Sequence, residues 1–550
     1  MLFQFSSSLV WALCAVGVVN AQSAVPITGV KVDAGAAIPL RKNINALQST
    51  GGPQWDLYIR SLVEMHKQDP NDQLSFFQVA GIHAKPYVEW NGAGKRTSNG
   101  WQGYCPHGEN LFLPWHRPYL VLYEQRLVAM ATKLANQYPS KYRAQYQKAA
   151  KTLRAPFWDW AASPNVPACT VPTKMTVKVP NGSGLKSATY DNPLRFYKFP
   201  KAALDGKFGT FDTGAQVYKC RNPQTYPGSA NQAMAKRSYK QWVYDAFTRS
   251  TTYNQFASTS STGVSLEQIH NAVHWDGSCG YQFLDADFSA FDPLFMLHHA
   301  NVDRLWAYWQ AMRPGQAGFT GSYSGDARFS VRSGTTITPN SPLQPFYASA
   351  GKFHTPKSVQ SIKSFGYAYE GLEWRSKSDA QMKQSATALI NRLYATGVNK
   401  PSRKRDIDID VTTRYFAQIK VDVEELQRPC SVNLYINTTS VASLVVMKQP
   451  SAGMVMGKFS LDKAADPIDL IGEATKLVVE DILSTIRVEI VKHDGTLIPV
   501  TSVPSLKIEL ENVDIVPPES EFELPEYKDP EQRTAPKKEV KTPGSLAYLF

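Results

Sequence analysis

The chain has 550 residues, 59 Lys+Arg against 47 Asp+Glu, a formal net charge of +12 and 11% aromatic residues. That length exceeds one hydrophobic core and predicts a multidomain protein of globular composition. No block of like charge marks a nucleic-acid surface, so the positive excess reads as a solvated face and no nucleic-acid partner is expected.

Residues 1–21 read as a secretory signal: Leu9 to Val19 is apolar, and Val19-Asn20-Ala21 is a small-residue cleavage site. The run is too short to span a bilayer, and no later segment is long and apolar enough. A secreted, extracellular protein starting near Gln22, with no membrane partner, is expected. From Asn43 to about Gln310, apolar helical patterns alternate with long loops. The spacing predicts helices over Pro118–Met130, Ser140–Leu153, Val264–Trp275 and Pro293–Met312. Residues 161–230, rich in Pro, Gly, Thr and Lys, read as a long loop region of the kind that shapes a functional site.

After the aromatic, turn-like FGYAYEGLEW comes a helical pattern over Asp379–Tyr394, which closes a mainly α domain over 22–400. Residues 401–411 read as a linker, in which Lys404-Arg405 is a candidate processing site for a protease. From Thr412 the pattern turns to period two, as in YFAQIKVDVEEL, CSVNLYI, ASLVVM, IRVEIV and LKIELENV, with His493-Asp494-Gly495 as a turn. This predicts a C-terminal all-β, sandwich-like domain over 412–524, followed by a disordered Pro/Lys/Glu-rich tail over 525–550.

Beyond Cys14 in the signal, five cysteines remain: Cys105, Cys169, Cys220, Cys279 and Cys430. An odd number in an oxidising compartment asks for one in another role. Cys105, two residues before His107, is the odd one. The other four allow three pairings, of which Cys220–Cys279 is the expected bridge because both lie in one domain. Two glycosylation sequons, at Asn181 and Asn437, fit an exterior location.

Seven of the ten histidines fall in two windows. GIHAKPYVEW and GYCPHGENLFLPWHRPYL carry His83, His107 and His116. LEQIHNAVHW and FDPLFMLHHANVDRLW carry His270, His274, His298 and His299. Spacing of i, i+4 puts His270 and His274 on one helical face, able to share a metal, and His299 can complete a trio. A four-helix bundle with inward ligands is one way to hold two metals. A lone histidine is more often a core or capping residue, but this clustering reverses that expectation; His66, His354 and His493 lack such company. With no carboxylate in the ligand pair and no CxxC, the donor set argues against magnesium, calcium and carboxylate-bridged iron. Copper fits best, and nitrogen ligands alone leave zinc open.

The motifs CPHG, WHRPY, HNAVH and FDPLFMLHHANVDRLW, in this order, resemble those of the fungal tyrosinases of the type-3 copper family, over nearly all of the mature chain. The resemblance implies two copper ions, CuA on His83, His107 and His116 and CuB on His270, His274 and His299, with His298 a neighbour and O2 the cosubstrate. It also implies a thioether between Cys105 and His107, and a pair, Glu267 and Asn271, holding a water that takes the proton of a phenol (pKa about 10). Phe295 corresponds to a ring packed on the ligands, and Ala286 to a gate residue that, as alanine, leaves the entrance open. Trp275 lines the mouth. Arg304 pairs with acidic groups near the bundle. The β domain corresponds to a removable cover that makes a latent proenzyme, with Met447 or Phe459 as the blocking side chain. Small phenols, and possible protein tyrosines, are the implied substrates. A catechol or o-aminophenol oxidase and a haemocyanin-like O2 carrier are the alternatives.

Overall fold

The computed structural model describes residues 24–211, 213–396, 412–463, 473–535 and 537, with side chains left aside at 473–477 and 529. The expected signal and the Lys404-Arg405 site lie outside the described residues. None of the described helices is long and apolar enough to cross a membrane.

The N-terminal part is mainly helical. Helices α1 (Gly52–His66), α2 (Phe76–Gly81), α3 (Phe112–Ala135), α4 (Ser140–Thr152), α5 (Tyr239–Arg249), α6 (Leu266–Gly277), α7 (Leu294–Met312) and α8 (Asp379–Tyr394) surround one core. α3 packs against α1 and α7, and α6 meets α7 through its histidines. The helix expected from Pro118 starts two turns earlier, at Phe112, and carries Pro118 in its interior. Proline removes one backbone bond there, and the buried apolar face from Phe112 to Leu122 outweighs that cost.

α6 has no solvent face: all twelve of its residues are buried. Ser265 caps it by accepting from the Gln268 N–H at 3.2 Å. Its inner polar residues survive burial because each is bonded. Gln268, for example, exchanges two bonds with the Lys458 backbone (2.8 and 3.1 Å). α7 is likewise buried along nearly its whole length, though both ring nitrogens of its His298 lack a hydrogen-bond partner.

The region expected as one long loop, 161–230, contains a hairpin, β1 (Lys174–Asn181) with β2 (Gly184–Asp191), whose tip holds the Asn181 sequon. Met175, Val177 and Val179 alternate inward, a period-two signal hidden by the lysines and threonines between them.

The C-terminal part holds two four-stranded antiparallel sheets. One has the order β6 (Met454–Ser460), β3 (Thr412–Asp422), β9 (Lys507–Val516), β10 (Glu526–Thr534). The other has β8 (Leu497–Ile498), β7 (Ile486–Lys492), β4 (Cys430–Ile436), β5 (Thr439–Val446). This is the β-rich C-terminal domain expected, with one helix, α9 (Glu473–Thr485), added before β7. One expectation needs correction: the tail expected to be disordered begins as β10, which pairs with β9 and sends Tyr527 to the Thr248 hydroxyl at 3.0 Å. Its charged, proline-containing sequence is tolerated because β10 is an edge strand.

β3 is buried on both faces and so loses the simple alternation of a half-exposed strand. Tyr415, Ala417 and Ile419 face one way; Arg414, Phe416 and Gln418 face the other. The second face meets the helical part. Arg414 bonds both oxygens of Asp245 on α5 (2.7 and 3.1 Å), and the Arg249 guanidinium lies 4.7 Å from the Phe416 ring centre.

Candidate metal centre

Three of the six imidazoles implied as ligands are held by a backbone carbonyl on Nδ1. His83 follows α2, and its Nδ1 lies 3.1 Å from the Ala286 carbonyl. His116, on the second turn of α3, bonds the Phe112 carbonyl of its own helix through Nδ1 (2.7 Å). His274 bonds the Phe283 carbonyl in the same way (2.5 Å). A carbonyl on Nδ1 fixes the tautomer that leaves Nε2 as a bare lone pair, the usual support of a metal-ligating histidine. The buried Nε2 atoms of His83 and His116 have no hydrogen-bond partner. His270 Nε2 lies 3.0 Å from His274 Nε2 and 3.2 Å from His299 Nε2.

The rings form two facing trios. His83, His107 and His116 have centroids 5.4–5.9 Å apart. They meet the second trio where His116 stacks on His299 at 4.4 Å and His107 on His270 at 5.8 Å. Phe295 stacks on His299 at 4.1 Å and stands edge-on to His83 at 5.0 Å, wedging both trios. Burial holds all six imidazoles neutral: it pushes His107 down to about 4, His274 to about 3 and the others well below the usual value. Neutral, convergent imidazoles with no carboxylate among them are a donor set suited to copper.

His298 is buried beside His299, and one nitrogen of each of His270, His274, His298 and His299 lies within 4.8 Å of the others. Its ring lies parallel to that of His270 at 4.9 Å and near Trp158 and Trp160. Cys105 is a buried, unpaired thiol within 4.8 Å of the His83 and His107 nitrogens. Cys220 and Cys279 are bonded to each other, while Cys169 and Cys430 are free and buried.

Glu267 is fully buried. One oxygen accepts from the Gly108 N–H (2.6 Å), the other from the Thr259 N–H and hydroxyl and the Ser258 hydroxyl (2.9–3.1 Å). Burial nevertheless raises it from 4.5 to about 7. Asn271 accepts from or faces His270 Nδ1 through Oδ1 (2.9 Å) and donates to the Val445 carbonyl (3.3 Å). Ala286 and Trp275 are both buried, 3% and 8% exposed, so neither opens to solvent in the intact chain. The open entrance expected at Ala286 is not present in the intact chain.

That domain crosses the site with the end of β5 and the turn after it. Val445 reaches Asn271, and the Gln449 side-chain amide lies 3.0 Å from His107 Nδ1. Met447 is buried between them in sequence. Pro450 covers Gly108, where φ is +68° and a Cβ would stand 2.4 Å from the proline ring; only glycine meets both demands. Phe459 packs on Trp242 of α5, at 5.2 Å, in the seam and not among the histidine rings. Asn437 has positive φ at the β4–β5 turn. Sequence reasoning missed Gln449, Lys448 and Gln268, whose partners lie some 160–340 positions away.

Behind the ligands, Asp303 ties the two trios together. Four residues after His299, it accepts from Arg117 Nε (2.5 Å), Arg41 Nη1 (2.9 Å) and the Tyr367 and Tyr369 hydroxyls (2.7 Å each). Arg117 directly follows His116. Arg304 pairs with Asp159 at 3.0 Å and bonds Tyr394, a structural partnership as expected from the sequence.

A helical frame presenting two facing trios of neutral imidazoles defines a histidine-ligated dinuclear metal protein. Residues 73–312 match the family model described as the common central domain of tyrosinase. A tyrosinase of Podospora anserina is 33% identical over 404 residues, 68% of this chain and 70% of that one. The chain belongs to the tyrosinase family, of type-3 copper oxidases. Its fold matches a recombinant mushroom tyrosinase (TM-score 0.79, 21% identity, 94% of this chain and 100% of that chain). It also matches an apo-protyrosinase of Aspergillus oryzae (0.71, 20%, 94% and 98%).

Proposed function

We propose that the chain is a secreted copper enzyme that ortho-hydroxylates monophenols such as tyrosine and oxidises o-diphenols to o-quinones with O2, made as a latent proenzyme. His83, His107 and His116 hold CuA, and His270, His274 and His299 hold CuB. The observation that carries this is the convergence of six buried, neutral imidazoles in two facing trios, three of them (His83, His116 and His274) with Nδ1 on a backbone carbonyl, beneath a strand from the C-terminal domain. Copper, when bound, supplies the binding and reduction of O2.

The chain's own residues do the rest. The buried rings exclude water and leave the cationic charge of the centre uncancelled, which favours a phenolate. Glu267 and Asn271 hold a water that takes the phenol's proton, the Asn271 amide being freed when Val445 withdraws. Cys105 becomes joined to His107 by a thioether, the thiol S–H and a ring C–H giving up two protons and two electrons, with O2 as the oxidant. Residues 22–400 form the catalytic domain and 412 onward the cover, with Met447 as the blocking side chain, Lys404-Arg405 as the processing site, and glycans on Asn181 and Asn437. The similarity to a protyrosinase supports the proenzyme reading.

A second reading, a catechol oxidase without hydroxylation, is favoured by the four donors already satisfied by Glu267. The copper-loaded chain, cleaved near residue 405, is given tyrosine and a catechol. Hydroxylation of tyrosine supports the first reading, and oxidation of catechol alone the second. Reversible O2 binding with no turnover of either would make it a carrier.

A further inference from the structure

One helix of the catalytic domain holds the β domain twice. The chain passes from α8 to β3 through residues 395–411, so the covalent tie between the domains leaves from the end of α8. Three residues before that end stands Asn391, which is 4% exposed and faces the far end of the β domain. Its Nδ2 donates to the carbonyls of Glu521 (2.8 Å) and Glu523 (2.7 Å), and its Oδ1 accepts from the Tyr244 hydroxyl of α5 at 2.9 Å. The amide thus spends both of its N–H groups on the β domain and anchors its oxygen in the catalytic domain.

The segment so gripped is a strap between β9 and β10. Pro517, Pro518 and Pro525 bracket it, and their fixed φ restricts the shapes it can take. The side chains of Glu519, Glu521, Phe522 and Glu523 are exposed, so what Asn391 holds is the backbone. Beyond the strap, the Tyr527 hydroxyl of β10 meets that of Thr248 at 3.0 Å, and its ring centre lies 4.6 Å from the Arg249 guanidinium. Arg249 in turn bonds Glu511 of β9 at 2.7 Å. α5 and α8 therefore hold the end of the β domain at two points, and a cut near residue 405 breaks neither.

We propose that residues 517–534 are a second latch of the cover, clasped by Asn391 and Tyr527, which keeps the cover seated after the linker is cut and sets how fast the histidines are uncovered. The inference rests on the removable-cover reading above. Activation then takes two events in series. Cleavage removes the covalent tie, and unclasping of the strap lets the β domain go.

The test cuts the copper-loaded full chain near residue 405 and follows departure of the β domain by size-exclusion chromatography, with no phenol present. Release from the wild type should be slowest. Asn391→Ala gives up two hydrogen bonds to the strap and should release its cover about tenfold faster. Asn391→Asp keeps the shape but sets a carboxylate against two carbonyls, and should release it faster still. Tyr527→Phe keeps the ring and loses one hydroxyl, for a gain of about two- to fivefold. That variant changes only the cover, so its faster release cannot come from a weakened catalytic domain. Oxidation of 4-ethylcatechol, added in a separate run, should appear with the time course of release. Release in this order without turnover supports the latch and sinks the phenol-oxidising reading alone. Equal release rates in the wild type, Asn391→Ala and Tyr527→Phe overturn the proposal.

Discussion

Asp303→Asn removes one charge from the network behind the metal centre. Arg41 keeps Glu124 at 2.8 Å, but the only carboxylate paired with Arg117 among the described residues is Asp303. The Arg117 side chain has no solvent exposure, and its guanidinium lies 3.7 Å from the Trp306 ring centre. Asparagine keeps the shape, yet its NH2 must face a donor where a carboxylate oxygen accepted three. Leaving a buried charge unpaired costs about 3–5 kcal/mol. At ~2.1 cal/mol/K per residue over roughly 370 residues, the unfolding entropy is ~0.8 kcal/mol/K, so the catalytic domain should melt about 4–6 °C lower. Because Asp303 shares α7 with His299 and Arg117 adjoins His116, copper retention should fall as well. Calorimetry and metal analysis read the two effects. Melting within about 1 °C of the wild type with copper fully retained would refute the tie between the trios.

Three further outcomes follow from the geometry. Glu267 has its folded value raised to about 7 by burial, so the folded chain holds a proton that the unfolded chain releases above 4.5. Stability should therefore fall between pH 5 and 7, by up to about 3 kcal/mol, and Glu267→Gln should flatten that slope in apo-protein melts. Asp245→Ala leaves Arg414 with Asp462 alone, and should loosen the seam enough for protease to separate the domains at a lower dose, with little change in the melting of the cleaved catalytic domain. Cys279→Ser opens a loop closed across 59 positions, and chain entropy puts the loss at about 4 kcal/mol in thermal unfolding.

Local signals carried most of the metal centre. His270 and His274 announce one helical face by spacing, and the Ser265 cap and the apolar run fix that helix to within two residues. The neighbouring histidines are different: both lie on α7 and both are buried, so spacing alone does not choose between His298 and His299. The structure keeps both within reach of His270 and His274. What distinguishes them is that the His299 ring stacks on His116 at 4.4 Å, while the His298 ring lies parallel to His270 and near Trp158 and Trp160, contacts that no periodicity encodes. The contacts of the cover were illegible for another reason. Gln449 meets His107 across 342 positions, and nothing local to a Gln-Pro turn specifies that partner. The β1–β2 hairpin and β10 were misread because charged and polar residues dominate both. One is recognisable from three alternating residues, and the other is set by pairing with β9 rather than by its own propensity.

The claim on which the rest depends is that six of the seven clustered imidazoles hold two coppers, three to each. Copper bound per chain, measured after reconstitution and exhaustive dialysis of single variants, tests it directly. The wild type and His298→Ala should each retain two coppers, and His299→Ala and His83→Ala about one or fewer, as loss of one ligand in three should release the ion it holds. Loss of copper in His298→Ala with two retained in His299→Ala would contradict the assignment.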